Sequence, residues 1–264
     1  MSILFLIIDM QNDFCRPTGT LYVPGAEKDV ERLSRFIAEN KEYISEIILT
    51  QDNHQVMDIA HPCFWKNVQG KHPQPFTSVS LQDVTEGKWI PIQSKEEATI
   101  YLQKLEEAGE YTHTIWPEHC IWGSEGAAID PVLMNEIINW AREGKTFDLI
   151  SKGTNPLTEH FGAFRANIPI DDEPETQFNT RLLQQLESAD RIWVAGEAKS
   201  HCVANTLKQL LDYPNVLQKT EILEDCMSNV AGCDQLAVPI FDQAKKLGMK
   251  FTTTNQIRFK TIKK

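Results

Sequence analysis

The stretch RIWVAGEAKSHCVANTLKQLL, residues 191–211, decides the fold. Residues 191–195 form a β-rich apolar run, residues 196–201 read as a turn, and residues 202–211 carry helical spacing. A strand that feeds through a short turn into a helix is the repeating unit of a parallel sheet covered by helices, with right-handed crossovers. The same reading sets Cys202 at the positive end of the helix macrodipole, where thiolate is favoured over thiol. Cys202 is therefore a candidate nucleophile.

Outward from this stretch the alternation repeats. Residues 4–8, 46–50, 147–150, 221–223 and 250–254 read as further strands, and residues 28–39, 131–142, 180–187 and 235–247 as helices, the last closed by Gly248. The expected fold is α/β: a doubly wound, mostly parallel six-stranded sheet with helices on both faces. Between His61 and His113 the pattern breaks around Pro62, Pro73, Pro75 and Pro91, more than a strand-to-helix connection requires. The chain reads as one domain, residues 1–264, with an insertion at about residues 63–112. Part of that insertion should be helical and lie over the site. Ser94 and Glu97 have capping-box spacing, and Ala98, Tyr101, Leu102, Leu105 and Ala108 recur on one helical face before Gly109.

Composition narrows the function classes. A chain of 264 residues with 41% apolar content can bury a large core, and a net charge of -11 repels phosphate backbones and anionic membranes. Neither nucleic acid nor membrane is an expected partner. Residues 3–8 are too few to span a bilayer, and no basic residue precedes them, so a cytoplasmic location is expected. Six cysteines without a Cys-x-x-Cys pair predict reduced thiols. The basic run at residues 260–264 reads as a solvated terminus.

In a doubly wound sheet, ligands bind beyond the carboxyl ends of the strands. Asp9 follows the first strand, Asp52 and His54 the second, Lys152 the third, and Cys202 comes one turn after the fourth. Taken singly, each has an ordinary explanation: a buried thiol, a turn aspartate, a solvated lysine. Their coincidence at one end of different strands is what points to a site. A carboxylate to accept a proton, an ammonium to stabilise negative charge and a thiol to attack carbon make up an acyl-transfer set. Backbone N–H groups of Ala198 and Cys202 would hold the oxyanion, each donor worth roughly 3–4 kcal/mol. Asp52 and His54, alternate residues of an extended segment, can grip one cation together, with His119 as the third ligand. That mixed oxygen and nitrogen set suits one divalent ion, zinc first, with iron or manganese as alternatives. His61 offers a fourth ligand, but its distance from His54 and the neighbouring Pro62 favour an ordinary loop histidine, so it stays out of the ligand set.

The segments Ile8-Asp9-Met10-Gln11-Asn12-Asp13-Phe14, Thr50-Gln51-Asp52-Asn53-His54, Trp116-Pro117-Glu118-His119-Cys120, Lys152-Gly153 and His201-Cys202-Val203 resemble, in this order, the isochorismatase-like cysteine hydrolases, specifically nicotinamidases (pyrazinamidases). The resemblance implies that Asp9, Lys152 and Cys202 form the catalytic triad and that Asp52, His54 and His119 hold the metal. It further implies that Phe14 and Trp116 flank a pyridine ring and that a cis peptide between Glu197 and Ala198 aims N–H groups at the oxyanion. Its implied activity is hydrolysis of nicotinamide, or pyrazinamide-like aromatic amides, to the acid and ammonia through a thioester. The implied partner is a small-molecule aromatic amide, and members are often homo-oligomers. Alternatives are a sibling amidase acting on another amide, carbamoyl or ureido compound, and a non-catalytic pyridine-binding protein. The long 63–112 segment, Glu159 with His160, and Glu197 depart from the compact members' pattern.

Overall fold

The computed structural model describes residues 1–259; the basic tail at 260–264 lies outside the described residues. Six strands, β1 (Ile3–Ile8), β2 (Glu46–Asp52), β3 (Phe147–Lys152), β4 (Arg191–Gly196), β5 (Thr220–Leu223) and β6 (Lys250–Thr252), form one sheet in the order β3-β2-β1-β4-β5-β6. Every neighbouring pair in it is parallel. The order reverses between β1 and β4, which opens a crevice at their carboxyl ends.

β1 is apolar at every position because both of its faces are covered. Ile3, Phe5 and Ile7 pack into one cluster with Ile47, Leu49 and Trp193, roofed by α1 (Ala26–Asn40) and α3 (Pro131–Ala141) through Leu33, Phe36, Ile137 and Trp140. Leu4, Leu6 and Ile8 point the other way, onto Ile48, Ile192, Val194 and Ile222. That face is covered by α4 (Thr180–Ser188), α5 (Ala204–Leu210) and α6 (Asp234–Lys246) through Leu186, Leu207 and Phe241. Each such buried side chain contributes about 1.5–3 kcal/mol of transfer free energy. The edge strand β3 is less covered, with Leu149 half exposed.

Between β2 and β3 the chain builds a smaller layer. A short antiparallel pair joins Trp65–Lys66 to Ile90–Pro91, and α2 (Lys95–Glu107) packs Ala98, Tyr101, Leu102 and Leu105 against Phe64, Trp65 and Val79. The expected helical face is thus present at 98, 101, 102 and 105 but not at Ala108, which caps the helix and is exposed. The capping box expected at Ser94 is not, because Ser94 has φ +47° and its side chain caps nothing. A capping box forms instead at Ser80, whose hydroxyl accepts from Asp83 N while the Asp83 carboxylate accepts from Ser80 N.

Candidate active site

Asp9 directly follows β1, Lys152 ends β3, and Cys202 lies one turn beyond β4, so parallel pairing brings three residues from distant parts of the chain to the same end of the sheet. The Lys152 ammonium joins them. Its Nζ lies 2.8 Å from Asp9 Oδ2, 3.2 Å from Asp52 Oδ1 and 3.7 Å from Cys202 Sγ, and it donates to the His160 carbonyl at 3.0 Å. All of these side chains are buried. Thr50 fixes the carboxylate of Asp9: its hydroxyl donates to Asp9 Oδ1 at 2.6 Å and accepts from Asp9 N at 3.1 Å.

Two glycines permit these approaches. At Gly196, with φ +137°, a side chain would meet the Ile8 carbonyl at 2.1 Å; at Gly153, with φ +70°, it would strike Asp52 Oδ1 at 2.4 Å.

The turn that carries the thiol differs from its sequence reading. Regular α-helix begins at Ala204, and Lys199–Val203 forms a π-turn that holds Cys202 just before it. The Ala198 carbonyl accepts from His201 N at 3.0 Å and Val203 N at 3.2 Å, and the Glu197–Ala198 peptide is cis. Ser200 Oγ accepts from Val230 N at 3.1 Å, tying the turn to the loop after β5.

Electrostatics correct a second expectation. Burial pushes the Cys202 thiol well up, outweighing the lowering effect of Lys152, so the resting sulfur is a thiol rather than the thiolate expected from the helix dipole. Burial also raises Asp9 despite the opposing charge of Lys152. Burial alone would lower Lys152, but Asp52 and Asp9 hold its ammonium well above the usual lysine value.

Beside this cluster, Asp52, His54 and His119 offer ligand atoms that all lie within 4.8 Å of one another. His54 Nε2 is 3.2 Å and His119 Nε2 3.8 Å from Asp52 Oδ2. Each imidazole is oriented from behind: His54 Nδ1 lies 3.0 Å from Asp58 Oδ2, and His119 Nδ1 lies 2.8 Å from the Pro117 carbonyl. Backing of this kind directs the free ring nitrogen at a cation. Burial, reinforced by His54, pushes His119 down to about 3, toward the neutral imidazole that a metal requires, whereas Asp52 and Asp58 overcome burial to push His54 well up, so a cation there would take the place of the His54 proton. The donor set therefore fits a divalent ion. His61 stays outside it, with Nε2 facing His119 Nδ1 at 3.3 Å and Nδ1 facing the Gln55 carbonyl at 3.0 Å.

Phe14 packs on His119 with ring centroids 5.5 Å apart, and Trp116 stands edge-on to His201 at 5.1 Å. A cavity of about 480 Å³ adjoins the site, walled by Trp116, Phe161, His201, Glu159 and, from the layer between β2 and β3, Phe76 and Tyr101. Trp116 lines this cavity whereas Phe14, Asp9, Lys152 and Cys202 do not. His201, which lines this cavity, immediately precedes Cys202 in the chain.

Several residues that shape the site were not singled out as site residues by sequence reasoning. Gln11 clamps β2, its Nε2 donating to the Asp52 carbonyl and its Oε1 accepting from Asp52 N, both at 2.7 Å. Asp13 accepts from Cys120 N at 2.7 Å, which fixes the loop bearing His119. Both stand in the quoted segment that begins at Ile8, which is the signal that could have found them. Glu159 accepts from Trp116 Nε1 at 3.1 Å, and burial pushes its carboxyl up to about 8.

No family model matches the chain. It is 24% identical over 201 residues to the nicotinamidase of Saccharomyces cerevisiae, spanning 76% of this chain and 77% of that one. To the nicotinamidase of Escherichia coli it is 25% identical over 221 residues, spanning 83% and 80%. The solved structure of the yeast nicotinamidase superposes with a TM-score of 0.65 at 20% identity, over 96% of this chain and 99% of that one. A Pyrococcus horikoshii pyrazinamidase, solved in complex with zinc, gives a TM-score of 0.56 at 18% identity, over 95% and 98%. Strand order and superposition together show an α/β fold shared with the solved nicotinamidase and pyrazinamidase structures.

Among the described residues, no helix is long and apolar enough to cross a membrane.

Proposed function

We propose that this chain is a metal-assisted cysteine amidohydrolase that converts nicotinamide, and aromatic amides of its kind, to the acid and ammonia through a thioester. The observation that carries the reading is the Lys152 ammonium, which touches Asp9, Asp52 and Cys202 at once. We read the chain as one domain, with residues 63–112 as an insertion that forms one wall of the adjoining cavity.

Because the resting sulfur is protonated, attack begins with proton transfer from Cys202 Sγ to the Asp9 carboxylate, beside the ammonium that stabilises the nascent thiolate. Sulfur bonds to the carboxamide carbon as the carbonyl π pair moves to oxygen, where the N–H groups of Ala198 and Cys202 receive it. Asp9 returns the proton to nitrogen, the C–N bond breaks, and ammonia leaves the thioester. Water, deprotonated by Asp9, then releases the acid and restores the thiol. Phe14 and Trp116 flank the ring. A divalent ion, zinc in our reading, would be held by Asp52, His54 and His119 and would supply a Lewis-acidic anchor for a ring nitrogen.

Ammonia release from nicotinamide and pyrazinamide by purified, metal-loaded protein tests this directly. Cys202→Ala should lower kcat by about 10⁴-fold or more, and Asp52→Ala should lose both bound metal and activity. Turnover of some other small amide alone would keep the mechanism and reassign the substrate. Turnover of no amide would leave a pyridine-binding protein.

A further inference from the structure

Glu197, the residue before Ala198, is fully buried at the end of β4. Its Oε2 accepts from Ser228 N at 3.1 Å, whereas Oε1 finds no donor among the described residues. Facing the same carboxyl is Asp29 on α1, which pairs with Arg32 and accepts from Ser228 Oγ at 2.5 Å. Arg32 also donates to the Asp225 carbonyl, and Ser228 O accepts from Lys199 N at 2.8 Å. The turn that bears Ala198 and Cys202 is therefore strapped to α1 and to the loop after β5 through one buried acid. Two carboxyl groups beside a single guanidinium, one with an oxygen lacking a donor, are satisfied when that acid keeps its proton and donates it.

We propose that Glu197 is a positioning residue: by donating its carboxyl proton to Asp29, it holds the turn at residues 197–199 so that the N–H groups of Ala198 and Cys202 converge on the oxyanion. This inference rests on the amidohydrolase reading above. Burial, then the charge of Asp29 and a hydrogen bond shared with it, push the Glu197 carboxyl well up, toward the protonated form that the unpartnered Oε1 calls for. The other charged or titratable groups around the pair are Arg32 on α1, Asp225 and Cys226 after β5, and Cys15. As pH rises past the raised value, Glu197 ionises against Asp29, the strap loosens, and kcat falls on the alkaline side.

The test compares wild type with Glu197→Leu and Glu197→Gln. Steady-state hydrolysis is measured across pH, together with affinity for pyridine-3-carbaldehyde and for nicotinate. The aldehyde reads the N–H groups without turnover: Cys202 sulfur bonds to its carbon, the carbonyl π pair moves to oxygen, and the thiol proton completes the thiohemiacetal. Leucine should lower kcat by about 10- to 100-fold and weaken aldehyde affinity by a similar factor, with KM and nicotinate affinity within about twofold. Glutamine, which can still donate to Asp29 and has no carboxyl proton to lose, should recover most of kcat and move the alkaline limb upward.

A leucine variant with wild-type kcat, a glutamine variant that rescues nothing, or a parallel loss of kcat, KM and nicotinate affinity would overturn the assignment. Should the leucine variant fail to fold, identical alkaline limbs for wild type and glutamine would do the same. If wild type releases no ammonia from any amide, the functional reading fails, while aldehyde affinity across the variants still decides the role of Glu197.

Discussion

At the scale of single residues, burial outweighs the positive charge beside the thiol. Cys202 is 5% exposed and its pKa is raised despite Lys152 at 3.7 Å. Alkylation of Cys202 should therefore be slow below neutral pH and accelerate only as pH climbs beyond the ordinary thiol range. Mass spectrometry of iodoacetamide-treated protein would check this, and preferential labelling of Cys202 at pH 6 would refute it. Asp9, Lys152 and Cys202 were legible in the sequence because each lies at or just past the end of an apolar run, where strand geometry delivers it to the crevice. The protonation state was not legible, since it depends on how closely α5 and the surrounding loops shut out water. Asp58 was equally hidden: its value lies in meeting His54 Nδ1 at 3.0 Å within an irregular segment, where sequence spacing predicts no contact.

Elements show where local signals were overruled. Six strands and the principal helices follow from periodicity because both faces of the sheet needed apolar residues. A capping box was read at Ser94, yet the chain enters α2 there in the left-handed region, and the hydroxyl faces no helical N–H. The working cap at Ser80 lay inside a segment with too little apolar periodicity to be recognised as a helix. Ser80→Ala should cost about 0.5–2 kcal/mol of stability in urea denaturation, and Ser94→Ala less than about 0.5 kcal/mol. The π-turn at Lys199–Val203 likewise has no composition signal. It is set by contacts with the loop after β5, including Ser200 Oγ with Val230 N at 3.1 Å.

For the molecule as a whole, buried acids couple folding to pH. Glu159 titrates at about 8 in the folded state because of burial, against an ordinary value of 4.5. Folded protein thus binds a proton there that the unfolded chain has lost, and the stabilisation present below pH 4.5 declines until pH passes about 8. At pH above both values, the cost reaches a few kcal/mol, at about 1.4 kcal/mol per pKa unit. Glu159→Gln should consequently gain in Tm relative to wild type as pH rises from 5 to 8, with little difference gained at pH 4; calorimetry at several pH values measures it. A Tm difference that is flat over that range would show that Glu159 does not carry this linkage.

Lys152 leans on two carboxylates, Asp9 and Asp52, to which the proposed mechanism gives proton transfer and cation binding respectively. Whatever cation draws on Asp52 changes how much negative charge is left to the ammonium, and the ammonium in turn is the nearest positive group to the sulfur. In the proposed mechanism, metal identity would thereby bear on the strength of the nucleophile. Exchanging one divalent ion for another should tune the speed of bond making itself, in addition to the grip on the ring.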